Sequence, residues 1–256
     1  MHVLRIVSLA LLMSLAVGPS GRRAVAQAIA DNSFLIEEAY NQESGVVQHI
    51  SSWARALTTA MWAFTFTQEW PLGSQTHQLS YTIPVVRTES PSNTGLGDAL
   101  LNYRYQWRRA DARVAIAPRL SMLLPTGSSS RRLGSGEVGA QLNVPVSVIL
   151  GRTFVSHWNA GVMALPRATT YTLGASVIWL ARPTFNVMME VAWADQDGAH
   201  VFLLNPGIRW AYNFPSGLQI VPGIAFPVGV GPSRGDRSTF LYLSFEHPFR
   251  SKTAPK

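Results

Sequence analysis

Three polar residues that lie close together, Ser156, His157 and Asn159, come nearest to a catalytic set in type and spacing. A hydrolase needs a serine hydroxyl that a histidine activates and a third polar group that orients the histidine. Adjacent residues of a strand point to opposite faces, so Ser156 and His157 converge only if the strand bulges. Otherwise a different strand has to supply the serine. We therefore predict that His157 is an interior hydrogen-bonding group and that the chain is not an enzyme.

Cofactor and metal chemistry find no support in the sequence. The chain contains no cysteine, which excludes disulfide scaffolds, cysteine-ligated zinc, iron–sulfur clusters and thiol nucleophiles together. Four histidines, His49, His77, His200 and His247, are scattered without the spacing of metal ligands. The string from Gly134 to Gly139 matches a dinucleotide fingerprint in letters, but that motif needs a strand before it and a helix after it. Here a loop precedes and a strand follows, so we predict no cofactor and no metal.

The composition is unusually poor in charge. Charged residues make up 14% of the 256 residues and hydrophobic residues 47%, where an ordinary soluble domain carries about 25% charged residues. An apolar stretch from Ile6 to Val17 follows Arg5, and small residues follow at Ala24, Ala26 and Ala28. This pattern predicts a secretory signal peptide over residues 1–26, with cleavage after residue 26 or 28. Its removal lowers the formal net charge from +7 to +4, so we predict no nucleic-acid partner.

The rest of the chain alternates between apolar and polar residues. Leu101, Tyr103 and Tyr105 would face one way, and Asn102 and Arg104 the other. Alternating segments of roughly ten residues, separated by turns, are typical of transmembrane β-barrels. We therefore predict an all-β fold, an antiparallel up-and-down transmembrane barrel of about twelve strands over residues 46–249. The segments begin near Val46, Met61, His77, Asp98, Arg113, Val138, Thr153, Thr169, Thr184, His200, Leu218 and Arg237.

A soluble β-sandwich would also alternate, but its solvent faces should carry more lysine. The chain has only Lys252 and Lys256, both in the predicted C-terminal tail over residues 250–256. Short connections near 109–111, 151–152, 182–183 and 215–217 alternate with longer polar ones at 88–97, 126–137 and 229–237. A barrel with short periplasmic turns and longer outer loops has this arrangement. The last segment ends in Phe249, which resembles the C-terminal signal for barrel assembly.

The predicted N-terminal segment, residues 27–45, does not follow the strand pattern. Phe34, Ile36 and Tyr40 belong to a set of apolar residues with near-helical spacing, with Glu37 and Glu38 on the remaining side. One interpretation is a short plug or periplasmic latch that occludes a barrel interior. The alternative is a first strand or a disordered arm.

Four runs of the sequence carry a family resemblance. They are Asn32–Glu43 (NSFLIEEAYNQE), Gly97–Tyr105 (GDALLNYRY), Ala117–Gly127 (APRLSMLLPTG) and His157–Gly161 (HWNAG). Together they resemble an outer-membrane transporter family named after the meta-pathway of phenol degradation. The resemblance covers most of the chain after the leader. It implies an outer-membrane barrel with a role in the uptake of aromatic compounds, and it carries no catalytic motif.

The alternation predicts which side chains line the barrel interior. A set of charged and polar residues would select solutes by charge, or its arginines and glutamates would pair and satisfy one another. We expect passive uptake of small, aromatic or hydrophobic solutes in the bacterial outer membrane, with outer-membrane lipid, the solute and the barrel-assembly machinery as partners. An outer-membrane lipid hydrolase and a non-conducting structural or adhesive barrel are the alternatives. The predicted interior residues are Arg104, Arg108, Arg119, Gln141, Asn143, His157, Asn159, Glu190, Arg209 and Glu246.

Overall fold

Twelve strands run up and down in the computed structural model, which describes residues 32–214 and 218–248. The predicted leader, the aromatic end at Phe249 and the tail lie outside these residues. Four of the strands are interrupted and consist of two pieces each. The strands are β1 (Val46–Ala56), β2 (Trp62–Leu72), β3 (Ser74–Arg87), β4 (Thr94–Leu96 and Ala99–Tyr105), β5 (Val114–Ile116 and Arg119–Leu124), β6 (Gly139–Ile149), β7 (Phe154–Leu165), β8 (Ala168–Arg182), β9 (Phe185–Gln196), β10 (Ala199–Trp210 and Tyr212–Asn213), β11 (Gln219–Ala225 and Val228–Gly229) and β12 (Ser238–Pro248).

Each strand pairs antiparallel with the next one in the chain, and the last pairs with the first. The register between β12 and β1 runs from Val46 opposite Pro248 to Ala56 opposite Ser238. Closure leaves no unpaired sheet edge, which is how barrels avoid edge-to-edge association. The predicted twelve-stranded antiparallel barrel is confirmed, and each predicted segment start lies within a few residues of an observed strand.

The two ends of the barrel differ in their connections. At the terminal end, where β1 begins and β12 ends, Gly73 alone joins β2 to β3 with a φ of +74° that favours glycine. The turn between β4 and β5 is also there, and the Arg109 guanidinium donates hydrogen bonds to Asp111 that hold the pKa of that carboxyl below its usual value. The opposite end carries the longer connections 88–93, 125–138 and 230–237, the last with a 3₁₀ turn at Gly231–Ser233.

Much of the barrel is inverted relative to a soluble protein, with polar side chains inside and apolar ones outside, while buried apolar side chains such as Leu203 and Phe240 line part of the interior. Leu101, Tyr103 and Tyr105 are 38–49% exposed on the outer face of β4, while Asn102 and Arg104 between them are buried. The same alternation recurs around the wall. An apolar outer band is what contact with lipid requires, because charge on that face is costly. No helix within 32–214 and 218–248 is long and apolar enough to cross a membrane.

The interior of the barrel is filled by chain that precedes β1. Residues 32–42, the enclosed segment, are at most 2% exposed and form neither a helix nor a strand. A link, Glu43–Gly45, then leads into β1, with Gly45 at a φ of +81° and the Val46 N–H donating to the Glu43 carbonyl at 3.1 Å. The near-helical spacing of the segment's apolar residues therefore does not produce a helix here.

Candidate functional site

A single interior carboxylate gathers three consecutive backbone amides of the enclosed segment. Glu190 on β9 accepts hydrogen bonds at Oε1 from the N–H groups of Phe34, Leu35 and Ile36, at 3.0, 2.8 and 3.1 Å. Its other oxygen accepts one from Nδ2 of Asn205 at 2.5 Å. The three amides have no helical or sheet partner, so the carboxylate supplies the acceptor that buried N–H groups need.

Interior amide side chains pair with the next residues of the segment. Asn159 on β7 accepts the N–H of Glu37 and donates to its carbonyl, both at 2.7 Å. Gln106 accepts the N–H of Asn41 at 2.8 Å and donates to the carbonyl of Ala39 at 2.7 Å. These side chains form hydrogen bonds with backbone N–H and carbonyl groups of the segment, as a neighbouring strand would. The barrel wall therefore holds an irregular peptide through its backbone.

Two arginines and an asparagine on neighbouring strands surround the carboxylate of Glu37. Nη1 of Arg104 lies 3.0 Å from Oε1, and Nε of Arg119 lies 3.2 Å from Oε2. Nδ2 of Asn143 donates to Oε2 at 2.5 Å. Glu69, on β2, lies 3.8 Å from the Arg104 guanidinium. All these charges are buried, and a buried ion pair repays its desolvation only with such additional hydrogen bonds.

Arg104 also binds the backbone of the enclosed segment. Its Nη2 donates to the carbonyl of Tyr40 at 2.7 Å, and its Nη1 to the carbonyl of Glu38 at 3.3 Å. Its Nε donates to Oδ1 of Asn41 at 2.9 Å. One guanidinium thus satisfies acceptors at four positions, 37, 38, 40 and 41, and holds this part of the segment against β4.

An apolar wall receives the other half of the segment. The ring of Phe34 lies 5.4 Å from that of Phe240 and 5.6 Å from that of Tyr242, at tilted angles. Glycines make the space: a Cβ built on Gly207 or Gly223 would lie 2.5 or 2.7 Å from the Phe34 ring. Only a residue without a side chain allows the strand backbone to approach an aromatic ring so closely.

The start of the segment is fixed by β8 and β10. Arg209 donates through Nη1 to the carbonyl of Asn32 at 2.6 Å, and its guanidinium carbon lies 4.7 Å from the centre of the Tyr242 ring. The hydroxyls of Ser33 and Ser176 lie 2.7 Å apart. At the other end, Gln78 accepts the N–H of Gln42 at 2.6 Å. The contacts therefore extend along the whole of residues 32–42.

Most of the predicted interior residues lie around this segment. Arg108 does not: it is exposed, beyond the end of β4, in an isolated bridge with Ile116 beside the turn. Strand β4 ends at Tyr105, and after Gln106, which still contacts the enclosed segment, the chain enters the turn, which is the reason for the difference. Asn159 is partly buried. The buried members of the predicted set are Arg104, Arg119, Gln141, Asn143, His157, Glu190, Arg209 and Glu246.

Several interior residues of the site were not among the predicted ones. Glu69 and Gln78 continue the inward alternation of β2 and β3, so the period that identified Arg104 would also have identified them. Ser147 likewise lies on the inward face of β6. Glu37 lies on the enclosed segment, and the sequence gives no period there from which its partners could be deduced.

A serine and a histidine do meet in the interior, but the serine is not Ser156. The Ser147 hydroxyl lies 2.7 Å from Nδ1 of His157, its cross-strand neighbour, and accepts the N–H of Ala39 at 2.8 Å. Ser156 instead donates to the carbonyl of Ser176 at 2.7 Å. The Ser147–His157 pair is therefore in contact with the enclosed segment through Ala39. Over 32–214 and 218–248, no group of three or more histidine, aspartate or glutamate side chains could hold a metal ion.

Several solved outer-membrane channels have a similar fold. The COG4313 outer membrane channel from Pseudomonas putida F1 has a TM-score of 0.58 at 12% identity, covering 82% of this chain and 97% of that one. The KdgM porin has a TM-score of 0.55 at 7% identity, covering 79% and 99%. The NanC porin has a TM-score of 0.51 at 10% identity, covering 78% and 98%. At these identities the likeness concerns the fold alone. No protein-family model matches the sequence, and no curated protein matches it.

Proposed function

We propose that the chain is a channel of the bacterial outer membrane for passive uptake of small, aromatic or hydrophobic solutes, and that the enclosed segment is its plug. The observation that carries this proposal is the continuous set of contacts between interior side chains and residues 32–42. Buried side chains such as Glu190 and Arg104 bind that peptide and have no evident role in closing the sheet. A barrel that served only as a structural or adhesive element would not need an interior specialised in this way.

The apolar outer face supports the membrane setting. Lipid would cover its apolar band, and the barrel-assembly machinery would insert the chain after removal of the predicted leader. The terminal end, with its shorter turns, would face the periplasm, so the segment would enter the barrel from the periplasmic side. Transport would be passive, driven by the concentration gradient of the solute.

The resemblance to the phenol meta-pathway family supports an aromatic solute. The interior adds a physical reason, because its apolar wall on β8 to β12 already accommodates the ring of Phe34. This wall would be open to a solute whenever the segment leaves.

The test is a comparison of the mature chain with a variant that lacks residues 32–42, both refolded into lipid vesicles. Heat-modifiable migration and all-β circular dichroism establish that both variants fold. We expect faster vesicle swelling in small neutral solutes, and larger single-channel currents, for the deletion variant. Arg131→Ala in the long outer connection is the matched control and should behave as the parent. Equal impermeability of the two folded proteins would refute the channel and favour a structural or adhesive barrel.

A further inference from the structure

The enclosed segment presents two kinds of chemistry within four residues. Phe34 supplies an aromatic ring, and Glu37 a carboxylate. The ring and the carboxylate lie in separate subsites of the barrel wall, one built from β10 to β12 and the other from β4 to β6. Both subsites are defined by side chains and backbone of the wall itself.

The ring subsite is a slot on the inner surface of β10 to β12 rather than a gap between strands, because these three strands pair with one another. The backbones at Gly207 and Gly223 form its floor, and the rings of Phe240 and Tyr242 border it. A flat ring fits this slot, since the Phe34 ring lies 5.4 and 5.6 Å from these two rings, within the 4.5–7 Å range in which aromatic pairs attract.

The carboxylate subsite is also part of the wall. Arg104 lies opposite Arg119 in the β4–β5 register, and Arg119 lies opposite Asn143 in the β5–β6 register. The sheet therefore holds two guanidinium groups and an amide beside one another whether or not Glu37 is present. Glu69 is the wall carboxylate close to them, at 3.8 Å from Arg104, so the subsite has an excess of positive charge when Glu37 leaves.

Chain geometry limits the distance between the two subsites. Residues 34 and 37 are three positions apart, and an extended chain advances at most about 3.6 Å per residue, so their Cα atoms are separated by no more than about 11 Å. A molecule that carries a ring and a carboxylate on a short flexible linker presents the same two groups as these residues.

We infer that Phe34 and Glu37 occupy the subsites of the transported solute, that this solute is a small aromatic carboxylate, and that it enters by displacing the enclosed segment. The inference rests on the proposed function, since it takes the segment to be the plug of a channel. Ring stacking and guanidinium–carboxylate bonds recognise both the plug and the solute, so the two exclude each other.

A cysteine introduced in the segment can report its displacement, because the chain has no other cysteine. Ser33 is fully buried, so Ser33→Cys in vesicle-embedded protein should react with a water-soluble thiol reagent only when the segment leaves. We use phenylbutyrate as the probe. Phenylbutanol, which lacks the charge, and butyrate, which lacks the ring, are its matched controls. Phenylbutyrate should raise the reaction rate about tenfold more than either control, the factor that corresponds to one charge-assisted hydrogen bond.

Second-site variants in the Ser33→Cys background locate the effect. Arg119→Gln should remove the preference for phenylbutyrate over phenylbutanol, and exposed Arg108→Gln should keep it. Glu37→Gln leaves the wall unchanged and removes the internal competitor, so it should lower the phenylbutyrate concentration needed for half-maximal rate. This variant keeps the test decisive if Arg119→Gln does not fold.

The results separate the inference from the proposed function. Equal acceleration by phenylbutyrate and phenylbutanol, in a protein whose plug deletion conducts, would overturn the aromatic-carboxylate class and leave the channel intact. A plug deletion that does not conduct would refute the proposed function, and the inference would fail with it.

Discussion

Arg104 and Glu37 pair across the barrel interior, with 3.0 Å between Nη1 and Oε1. One of the two belongs to a strand of the wall and the other to the peptide that the wall encloses. Both side chains are buried, so neither can be solvated in place if the other is removed. The docking of residues 32–42 in the interior therefore depends on the charge of this wall arginine.

Glu37→Gln should weaken the docking of the enclosed segment. Removing one partner of a buried ion pair costs about 3–5 kcal/mol, because the remaining charge loses its counterion. We expect the open probability in planar bilayers to rise by about tenfold or more. Glu43→Gln, in the link just outside the segment, is the matched control. An unchanged open probability in Glu37→Gln would mean that the pair does not hold the segment.

Glu190→Ala should have an effect of similar size through the backbone. The change leaves the N–H groups of Phe34, Leu35 and Ile36 without their acceptor, and a buried unsatisfied donor costs about 1–3 kcal/mol. Glu246→Ala is the control, because that carboxylate accepts a hydrogen bond from Gln48 of β1. We expect hydrogen exchange at residues 34–36 to accelerate in Glu190→Ala and to stay slow in Glu246→Ala. Equal exchange in the two variants would contradict this role.

Gly207→Ala should expel the Phe34 ring from its slot. The added methyl would lie 2.5 Å from that ring, and overpacking of this kind costs about 1–3 kcal/mol. The open probability should rise in Gly207→Ala. In the double variant Gly207→Ala/Phe34→Ala, the second substitution should add little, because the contact has already been lost. Fully additive effects of the two substitutions would show that the residues do not compete for the same space.

Leu120→Arg tests whether the outer face of the barrel contacts lipid or water. Leu120 is exposed on the outer face of β5, where a soluble protein would tolerate arginine. In a bilayer, arginine on the lipid face near the midplane should lower the free energy of unfolding by about 2–4 kcal/mol. Urea unfolding in the presence of lipid vesicles measures the difference. Ser130→Arg, in the connection 125–138, should be neutral. A neutral Leu120→Arg would place that face in water.

The fold follows from the sequence because one signal, alternation, repeats along almost the whole chain. Alternation assigns Leu101 to the outer face and Arg104 to the inner face, as in the structure, because lipid and the barrel interior would impose opposite polarity on the two faces of a strand. Arg108 lies outside the interior cluster, since the chain has left β4 there and enters the turn. For the segment around Phe34 and Ile36 the sequence allows a plug or latch as well as a first strand or disordered arm, and its irregular conformation could not be predicted. Its backbone binds side chains far away in the chain, such as Glu190, and these replace the local hydrogen bonds that a helix would have made.

The link Glu43–Gly45 attaches the enclosed segment to β1 through only a few residues. A flexible tether of a few residues keeps its cargo at an effective concentration of about millimolar order, so a segment that leaves the interior stays nearby and returns quickly. A solute has to compete with that local concentration, whatever the number of channels in the membrane. If solute displaces the segment as proposed, opening would depend on the solute concentration outside, and a dilute solute would leave most barrels closed.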